Sequence, residues 1–211
     1  GKVFVNENVS AKNVENEGKI TIAVGQIFAI SETLTDNNEI GGDGTIKING
    51  TENQNVTLTT KENIGYKNIV VEKESGDVEI NNVAIIENFE NATAGTTTFN
   101  AASTITKYTN KKGNSIFKDV SKITSYTNES GKSTFEKDAE IAKLINKDTL
   151  EFGEKITSTE SVENNGTITI NGEVEIQTLE NSKTVEVNGS SKIITLKNTS
   201  ETSEVQFNQT G

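Results

Sequence analysis

Six residue types are missing from this chain of 211 residues: proline, cysteine, methionine, tryptophan, histidine and arginine. Without cysteine and histidine the chain lacks the common zinc ligands, a thiol nucleophile, an imidazole base and a disulfide framework. Proline would interrupt the hydrogen bonds between strands, so its absence suits continuous β-structure. We therefore expect neither an enzyme nor a bound cofactor.

Apolar and basic residues are also scarce. Hydrophobic residues make up 31% of the chain and aromatic residues 5%, which favours a thin aliphatic core over a deep globular one. The net charge is −11, and the 20 basic residues are all lysines dispersed among carboxylates, so we expect no nucleic-acid partner. The apolar runs are only a few residues long, and we expect no direct membrane insertion.

A repeated hexapeptide, Ile-x-x-(Tyr/Leu)-x-Asn, organises the second half of the chain, for example at residues 105–110 and 123–128. A degenerate copy at residues 159–164 fills one gap in the series. Steps of 19, 18, 18, 18, 17 and 17 residues separate its asparagines, which are Asn91, Asn110, Asn128, Asn146, Asn164, Asn181 and Asn198. This spacing predicts a solenoid of about ten coils of roughly 18 residues each.

Two further columns of apolar residues follow the same period. The first contains Phe99, Phe117, Phe135, Phe152, Ile170, Val187 and Val205. The second contains Val120, Ala139, Ile156 and Val174. Because neighbouring strands lie about 4.8 Å apart, we expect the four phenylalanine rings to stack inside the solenoid.

The strands are predicted to be short and parallel. Residues 167–170 and 184–187 alternate polar and apolar side chains, and each coil is too short to hold a helix between strands. A left-handed triangular solenoid would place an aliphatic residue six positions after each hexapeptide Ile, where this chain has Lys111, Glu129 and Lys147. We therefore predict an all-β fold, a right-handed parallel β-helix.

The repeated asparagine has a structural interpretation. Asparagine tolerates the left-handed backbone region at a sharp turn, and its amide can bond to the same amide one coil away. We expect a structural ladder of asparagines along the solenoid. The alternative is glycan attachment, because Asn91, Asn128 and Asn198 each begin an Asn-x-Ser/Thr triplet.

We expect one solenoid domain over residues 1–211, regular at 91–211 and less regular, with longer loops, at 1–90. Residues 14–22 nearly duplicate residues 162–170, and residues 40–48 and 76–80 indicate further early coils. Longer excursions are predicted around residues 26–39 and 50–68. Because excursions project from the side of a solenoid, we expect binding there.

Two groups of acidic residues are candidate sites. Asp36, Asn38 and Asp43 lie in a glycine-rich segment that could hold calcium, although a solvated turn is the favoured interpretation because the segment occurs once. The pairs Glu72 with Glu74 and Glu136 with Asp138 have the composition of a glycosidase dyad. Alternating charge on an outward strand face is the simpler explanation.

The phrases at residues 44–50 (Gly-Thr-Ile-Lys-Ile-Asn-Gly) and 162–172 resemble passenger domains of type V secreted surface proteins, the autotransporters and filamentous-haemagglutinin-like adhesins. The bias toward Lys, Asn, Ile and Glu is similar to that of fusobacterial proteins. The resemblance implies a β-helix displayed outside the outer membrane that mediates adhesion or aggregation, with a host or bacterial surface protein or glycan as partner. It carries over no binding residues.

The ends of the chain suggest a second function. The sequence begins without methionine, as a processed or excised segment would, and the last coil, through Val205, Gln206 and Phe207, has no polar cap. We expect either that the chain continues or that open ends join other copies. The alternatives to an adhesin stalk are thus a self-assembling filament or surface-layer subunit, and a carbohydrate-active β-helix.

Overall fold

The computed structural model describes residues 1–59, 61, 65–82 and 84–208, and all regular structure among them is β-strand. The strands pair in parallel, each with a strand one coil away, to form a β-solenoid of about 11 turns. The predicted all-β parallel β-helix is confirmed, while its right-handed sense stays a prediction. The predicted domain reaches residue 211, and residues 209–211 lie outside the described residues.

Twenty-four strands make up the described structure. They are β1 Lys2–Val5, β2 Val9–Asn16, β3 Lys19–Ile22, β4 Ile27–Asp36, β5 Glu39–Gly41, β6 Thr45–Ile48, β7 Gln54–Thr57, β8 Tyr66–Val71, β9 Val78–Asn81, β10 Ala84–Asn91, β11 Thr96–Phe99, β12 Ser103–Asn110, β13 Asn114–Phe117, β14 Ser121–Asn128, β15 Lys132–Phe135, β16 Ala139–Asn146, β17 Thr149–Phe152, β18 Ile156–Ser158, β19 Ser161–Asn164, β20 Thr167–Ile170, β21 Val174–Asn181, β22 Thr184–Val187, β23 Ser191–Asn198 and β24 Glu204–Phe207.

Each regular coil contains one bent strand of eight residues and one straight strand of four. In β12, for example, Ile105 and Tyr108 are both buried while the two residues between them are exposed. Two successive outward residues cannot belong to one flat strand, in which side chains alternate, so the strand turns a corner at that point. The coil therefore has three faces around a narrow core.

We name these faces A, B and C. From β10 onward, face A is the first half of each bent strand, face B is its second half, and face C is the straight strand. Face B continues upstream through β8 and β6, and face C through β9 and β7. One hydrophobic cluster fills the interior from Val5 to Val187.

The second apolar column predicted from the sequence, which begins at Val120, lies on face A. Its first residue is assigned one position too early. Val120 is 51% exposed, and Ser121 occupies the inward position, paired with Ser103 and Ala139. Period-two alternation explains the difference, because Ser121 lies two residues before buried Ile123 and must share its side of the strand. The serine hydroxyls of residues 103 and 121 are hydrogen-bonded at 3.3 Å, which satisfies both of them inside the core.

Two other column assignments are also wrong by a small shift. Ser158, not Thr159, pairs with Ile176, because the coil divides its bent strand into β18 and β19 with one extra residue at the corner. At the last coil Val205 pairs with Val185, and Phe207 takes the place in the phenylalanine column. The longer loop after Asn198 delays β24 by two residues relative to the predicted register.

The predicted excursion at residues 26–39 is wrong. Strand β4 fills most of it and pairs with β2, β6 and β7, so this segment is itself part of a coil. The second excursion, at residues 50–68, contains β7 and the start of β8, and its residues 60 and 62–64 lie outside the described residues. The predicted early coils at residues 40–48 and 76–80 are confirmed as β5, β6 and β9.

The two nearly identical segments, residues 14–22 and 162–170, lie on different faces of the solenoid. Val162 lies on face B, paired with Leu144 and Leu179, whereas Val14 pairs with Leu34, which leads through β7 to face C. The bent strands β2 and β4 thus span faces B and C, and from β10 onward the bent strands span faces A and B. The same local structure is used at two corners of the solenoid.

Candidate functional site

The seven repeated asparagines form a continuous ladder at the end of face B. Each Nδ2 donates to the Oδ1 of the asparagine in the next coil, at 2.8, 2.9, 2.9, 2.9, 2.8 and 3.3 Å from Asn91 to Asn198. The same Nδ2 also reaches turn carbonyls, as Asn128 does with Gly131 and Thr149 at 3.1 Å each. The ladder thus joins neighbouring coils and holds the turn that follows each bent strand.

The predicted backbone reason for asparagine is wrong. Each ladder asparagine is the last residue of a strand, and among the described residues other than glycine a positive φ occurs at Asn82 alone. Glycines take the left-handed positions in two of the turns, Gly113 with φ 71° and Gly131 with φ 88°. The asparagine is required for its amide, which both donates and accepts, so that identical side chains can bond to one another.

Burial argues against glycan attachment at two of the three triplets. Asn91 and Asn128 have no exposed surface, and both amides are used by the ladder. Asn198, in the last coil, is exposed. The Asn-x-Ser/Thr triplets at Asn91 and Asn128 therefore follow from the solenoid repeat itself.

The ladder begins where the preceding coil offers no amide. Asn91 pairs with Val71, an apolar residue, so its Oδ1 has no partner on that side. Thr97 Oγ1 donates to this oxygen at 2.9 Å, and the backbone N–H of Thr93 donates to it at 3.4 Å. Because a buried acceptor without a donor is costly, this local cap explains how the ladder can start inside the core.

Asp36, a candidate calcium ligand, is part of a separate short ladder. Its carboxylate is buried and accepts from Asn16 Nδ2 at 2.7 Å, Tyr66 Oη at 2.7 Å, and the N–H groups of Asn38 and Ile40 at 3.1 Å each. Four protein donors therefore occupy its two oxygens. A carboxylate accepts without donating, so Asp36 can end a ladder where an asparagine would need a further acceptor.

The other two calcium candidates do not join Asp36. The side chain of Asn38 hydrogen-bonds to Lys61 and to the carbonyl of Glu17, and Asp43 is exposed at a turn. Among the described residues no group of three or more acidic, histidine or cysteine side chains is placed to hold a metal ion. Asn38 lies in the turn between β4 and β5, whereas Asp43 lies in the turn between β5 and β6.

The four phenylalanines stack in the interior of face C. Ring centroids lie 4.8 Å apart for Phe99–Phe117, 4.4 Å for Phe117–Phe135 and 5.1 Å for Phe135–Phe152, with interplanar angles of 7°, 2° and 15°. The next position is Ile170, which continues the column with an aliphatic side chain. Such offset contacts add about 0.5–1.5 kcal/mol per pair beyond the burial of apolar area.

Sequence reasoning missed a second stack on face B. Phe89, Tyr108 and Tyr126 lie 5.2 and 5.1 Å apart with nearly parallel rings, and Tyr108 meets Phe117 edge to face at 5.2 Å. The signal was present in the hexapeptide, whose fourth position is Phe or Tyr in three successive coils. The two stacks pack against each other and fill the width of the core.

The two buried tyrosine hydroxyls differ in their partners. Tyr108 Oη is 2.7 Å from Ser115 Oγ across the core. Tyr126 Oη makes no hydrogen bond of ordinary geometry with a described residue, and the equivalent serine near it, Ser133, donates to Asn128 Oδ1 at 3.4 Å. Burial raises the pKa of Tyr126 well above its ordinary value, so this hydroxyl stays neutral.

The acidic pairs lie on the outside of the solenoid. Glu72, Glu74, Glu136 and Asp138 are all exposed, and Glu72 pairs with Lys47 at 2.8 Å. Similar ion pairs join neighbouring coils elsewhere, such as Lys137–Glu154, where hydrogen bonding to the carboxylate raises the pKa of the lysine. Exposed pairs of this kind contribute little to stability.

Comparison with known proteins finds no matching family model, no similar curated protein and no similar solved structure. The likeness to type V secreted passenger domains therefore stays a prediction. Within the part of the chain that the structure describes, no helix is long and apolar enough to cross a membrane.

Replacing Asn128 by Ala should lower the free energy of unfolding by about 2 kcal/mol or more, because it leaves Asn146 Oδ1 without its donor inside the core. Asn198→Ala is the matched control, since this last ladder residue is exposed, and it should change stability by less than about 0.5 kcal/mol. Urea denaturation followed by circular dichroism measures both. Equal losses of stability in the two variants would show that the contribution of a ladder asparagine does not depend on its burial.

The two tyrosines provide a second test. Tyr108→Phe should lower the free energy of unfolding by about 1 kcal/mol, because the buried hydrogen bond to Ser115 is lost and Ser115 keeps only its bond from Asn91. Tyr126→Phe should leave stability unchanged or raise it by up to about 1 kcal/mol, because it removes an unpaired buried hydroxyl. Both variants keep the ring stack, so chemical denaturation compares the hydroxyls alone. A larger loss for Tyr126→Phe than for Tyr108→Phe would contradict this assignment.

Proposed function

We propose that this chain is a non-enzymatic stalk segment of a bacterial surface adhesin, displayed outside the outer membrane, where it supports attachment or aggregation. The observation that carries the proposal is the uninterrupted interior. The asparagine ladder and the hydrophobic cluster run through successive coils. A repeat protein of this kind is stabilised by contacts between neighbouring coils, so its length can be set by the number of coils.

The dimensions support a spacer. About 11 turns at a spacing of about 4.8 Å give a rod roughly 50 Å long. Hydrogen bonds between asparagine side chains, stacked rings and ion pairs all connect one coil with the next. The interactions that hold the rod together therefore run along its axis. This arrangement suits a segment that holds a binding surface away from a cell.

Whole-coil deletion tests the stalk. Removing residues 103–138 takes out two coils and joins Ala102 to Ala139, so that Phe99 would face Phe152 and Asn91 would face Asn146 in the original columns. We expect a folded protein whose longest dimension by small-angle X-ray scattering falls by about 10 Å. Removing residues 103–129 instead, one and a half coils, breaks the columns and should prevent folding.

Cell display tests the adhesive role. A non-adherent bacterium that displays the chain should settle faster or attach to epithelial cells more than the same bacterium with an empty display system. The two-coil deletion keeps the fold and serves as the length variant. Displayed chain without any gain in attachment or aggregation would reject the adhesin, whereas a failed two-coil deletion would reject only the modular stalk.

End-to-end assembly is a second candidate. Val3 and Phe4 in the first coil are 53% and 65% exposed, and Phe207 in the last coil is 49% exposed. Exposed apolar side chains in the first and last described coils favour association with further coils. A sedimentation coefficient that rises with concentration would support a self-assembling filament or surface-layer subunit.

A further inference from the structure

Charge is distributed unevenly along the rod. Residues 1–102 carry a net charge of −8 and residues 148–211 carry −7, whereas residues 103–147 hold nine lysines and five carboxylates, a net charge of +4. A basic band thus interrupts an otherwise acidic rod. It coincides with β12–β16, the coils in which the asparagine ladder and the ring stacks are most regular.

Most of the band's uncompensated lysines flank face B. Lys107 and Lys143 lie at the corner with face A, in one register column with Ser125 between them. Lys111 and Lys147 lie at the opposite corner, each following a ladder asparagine, with Lys112 beside them. All five side chains are exposed.

Many lysines elsewhere on the rod pair with glutamates of neighbouring coils, such as Lys132 with Glu151 at 2.6 Å. Lys107, Lys112, Lys143 and Lys147 form no ion pair with any described residue. Lys111 pairs with Glu90 at 2.8 Å, and Glu129 is the carboxylate that lies between Lys111 and Lys147. Between Lys107 and Lys147, face B thus carries four exposed lysines that have no ion-pair partner among the described residues.

Apart from Glu129 at its edge, the surface between the lysines consists of uncharged residues. Thr109, Thr127 and Ile145 stack in register as its floor and are partly exposed. Two coils separate Lys107 from Lys143, about 10 Å, and four residues of extended chain separate Lys107 from Lys111, about 13 Å. A groove of about 290 Å³ adjoins the floor on its upstream side, and Lys107, Thr109 and the acidic residue Glu90 are among its lining residues.

We propose that face B between Lys107 and Lys147 binds a linear anionic polysaccharide, which rests on the adhesive function proposed above and names its ligand class. Two pairs of lysines hold acidic groups spaced on the scale of a disaccharide. Threonine hydroxyls accept and donate hydrogen bonds to sugar hydroxyls, and Ile145 packs against the apolar side of a ring. The acidic flanks confine the ligand to the band.

Nucleic acid fits this surface less well. Duplex DNA carries one charge per about 1.7 Å of axis, so it would need a continuous basic track. The band spans three coils, about 10 Å between its outer strands, and is bordered by segments of −8 and −7. A duplex lying along the rod would meet those acidic segments on both sides.

The test uses the full chain with defined polymers in place of the natural ligand. Polygalacturonate presents carboxylates, dextran sulfate presents sulfates, and neutral dextran and duplex DNA are the comparisons. Lys107→Gln with Lys143→Gln removes two charges from face B. Lys118→Gln with Lys183→Gln also removes two exposed lysine charges and is the matched control, because Lys118 lies in the band but off face B and Lys183 lies outside the band.

We expect an acidic polysaccharide to bind the native chain, with affinity that falls as salt rises from about 50 to about 200 mM. The face B pair should weaken binding at least tenfold and reduce the slope of log affinity against log salt by about 1.5, while the control pair leaves both nearly unchanged. Whether polygalacturonate or dextran sulfate binds more tightly identifies the acidic group as carboxylate or sulfate.

Three results would overturn the proposal: no binding of either acidic polymer at about 50 mM salt, equal weakening by the two pairs, or tighter binding of duplex DNA. Attachment of displaying cells that persists in the face B pair would reject this ligand and keep the adhesin. Polysaccharide binding without any cell attachment would keep the ligand site and reject the adhesive role.

Discussion

The spacing of parallel strands is the constraint on which the other features of this protein depend. Backbone hydrogen bonds hold neighbouring strands about 4.8 Å apart, so every side chain lies beside its equivalent in the next coil. That distance suits ring on ring, as in Phe117–Phe135 at 4.4 Å, and amide on amide, as in Asn110–Asn128 at 2.9 Å. Residues that interact well with copies of themselves are therefore favoured along each column.

A thin core makes the ends of such columns important. A buried amide column must start and stop where a coil carries an apolar residue, and each end leaves one polar atom to satisfy. Asn91 is satisfied by Thr97 in its own coil, and Asn16 is satisfied by Asp36, which needs no acceptor beyond it. Thr97 and Asp36 thus show that a single side chain of another type can satisfy the end of an asparagine column.

The outer surface follows the same spacing with a weaker energetic effect. Lysine and glutamate on neighbouring coils meet at distances such as 2.7 Å for Lys197–Glu180, but exposed pairs contribute little stability. The interior therefore fixes the fold, and the exterior is free to vary in charge. This freedom allows a basic band to lie on an acidic rod whose core is continuous beneath it.

The sequence by itself determined the period, the parallel β-solenoid, the asparagine ladder and the phenylalanine stack, because each depends on identical residues at a constant interval. Only the tertiary structure decided which neighbouring residue points inward where the interval changes, as at Ser121 beside Val120, Ser158 beside Thr159 and Phe207 beyond Val205. Hydropathy favoured Val120, and the constant interval favoured Thr159 and Val205. The inward side is instead set by alternation from the next fixed strand and by loop length. The structure also decided that residues 14–22 lie on a different face from residues 162–170, since the motif specifies a strand, a turn and a strand but not the corner of the solenoid that they occupy.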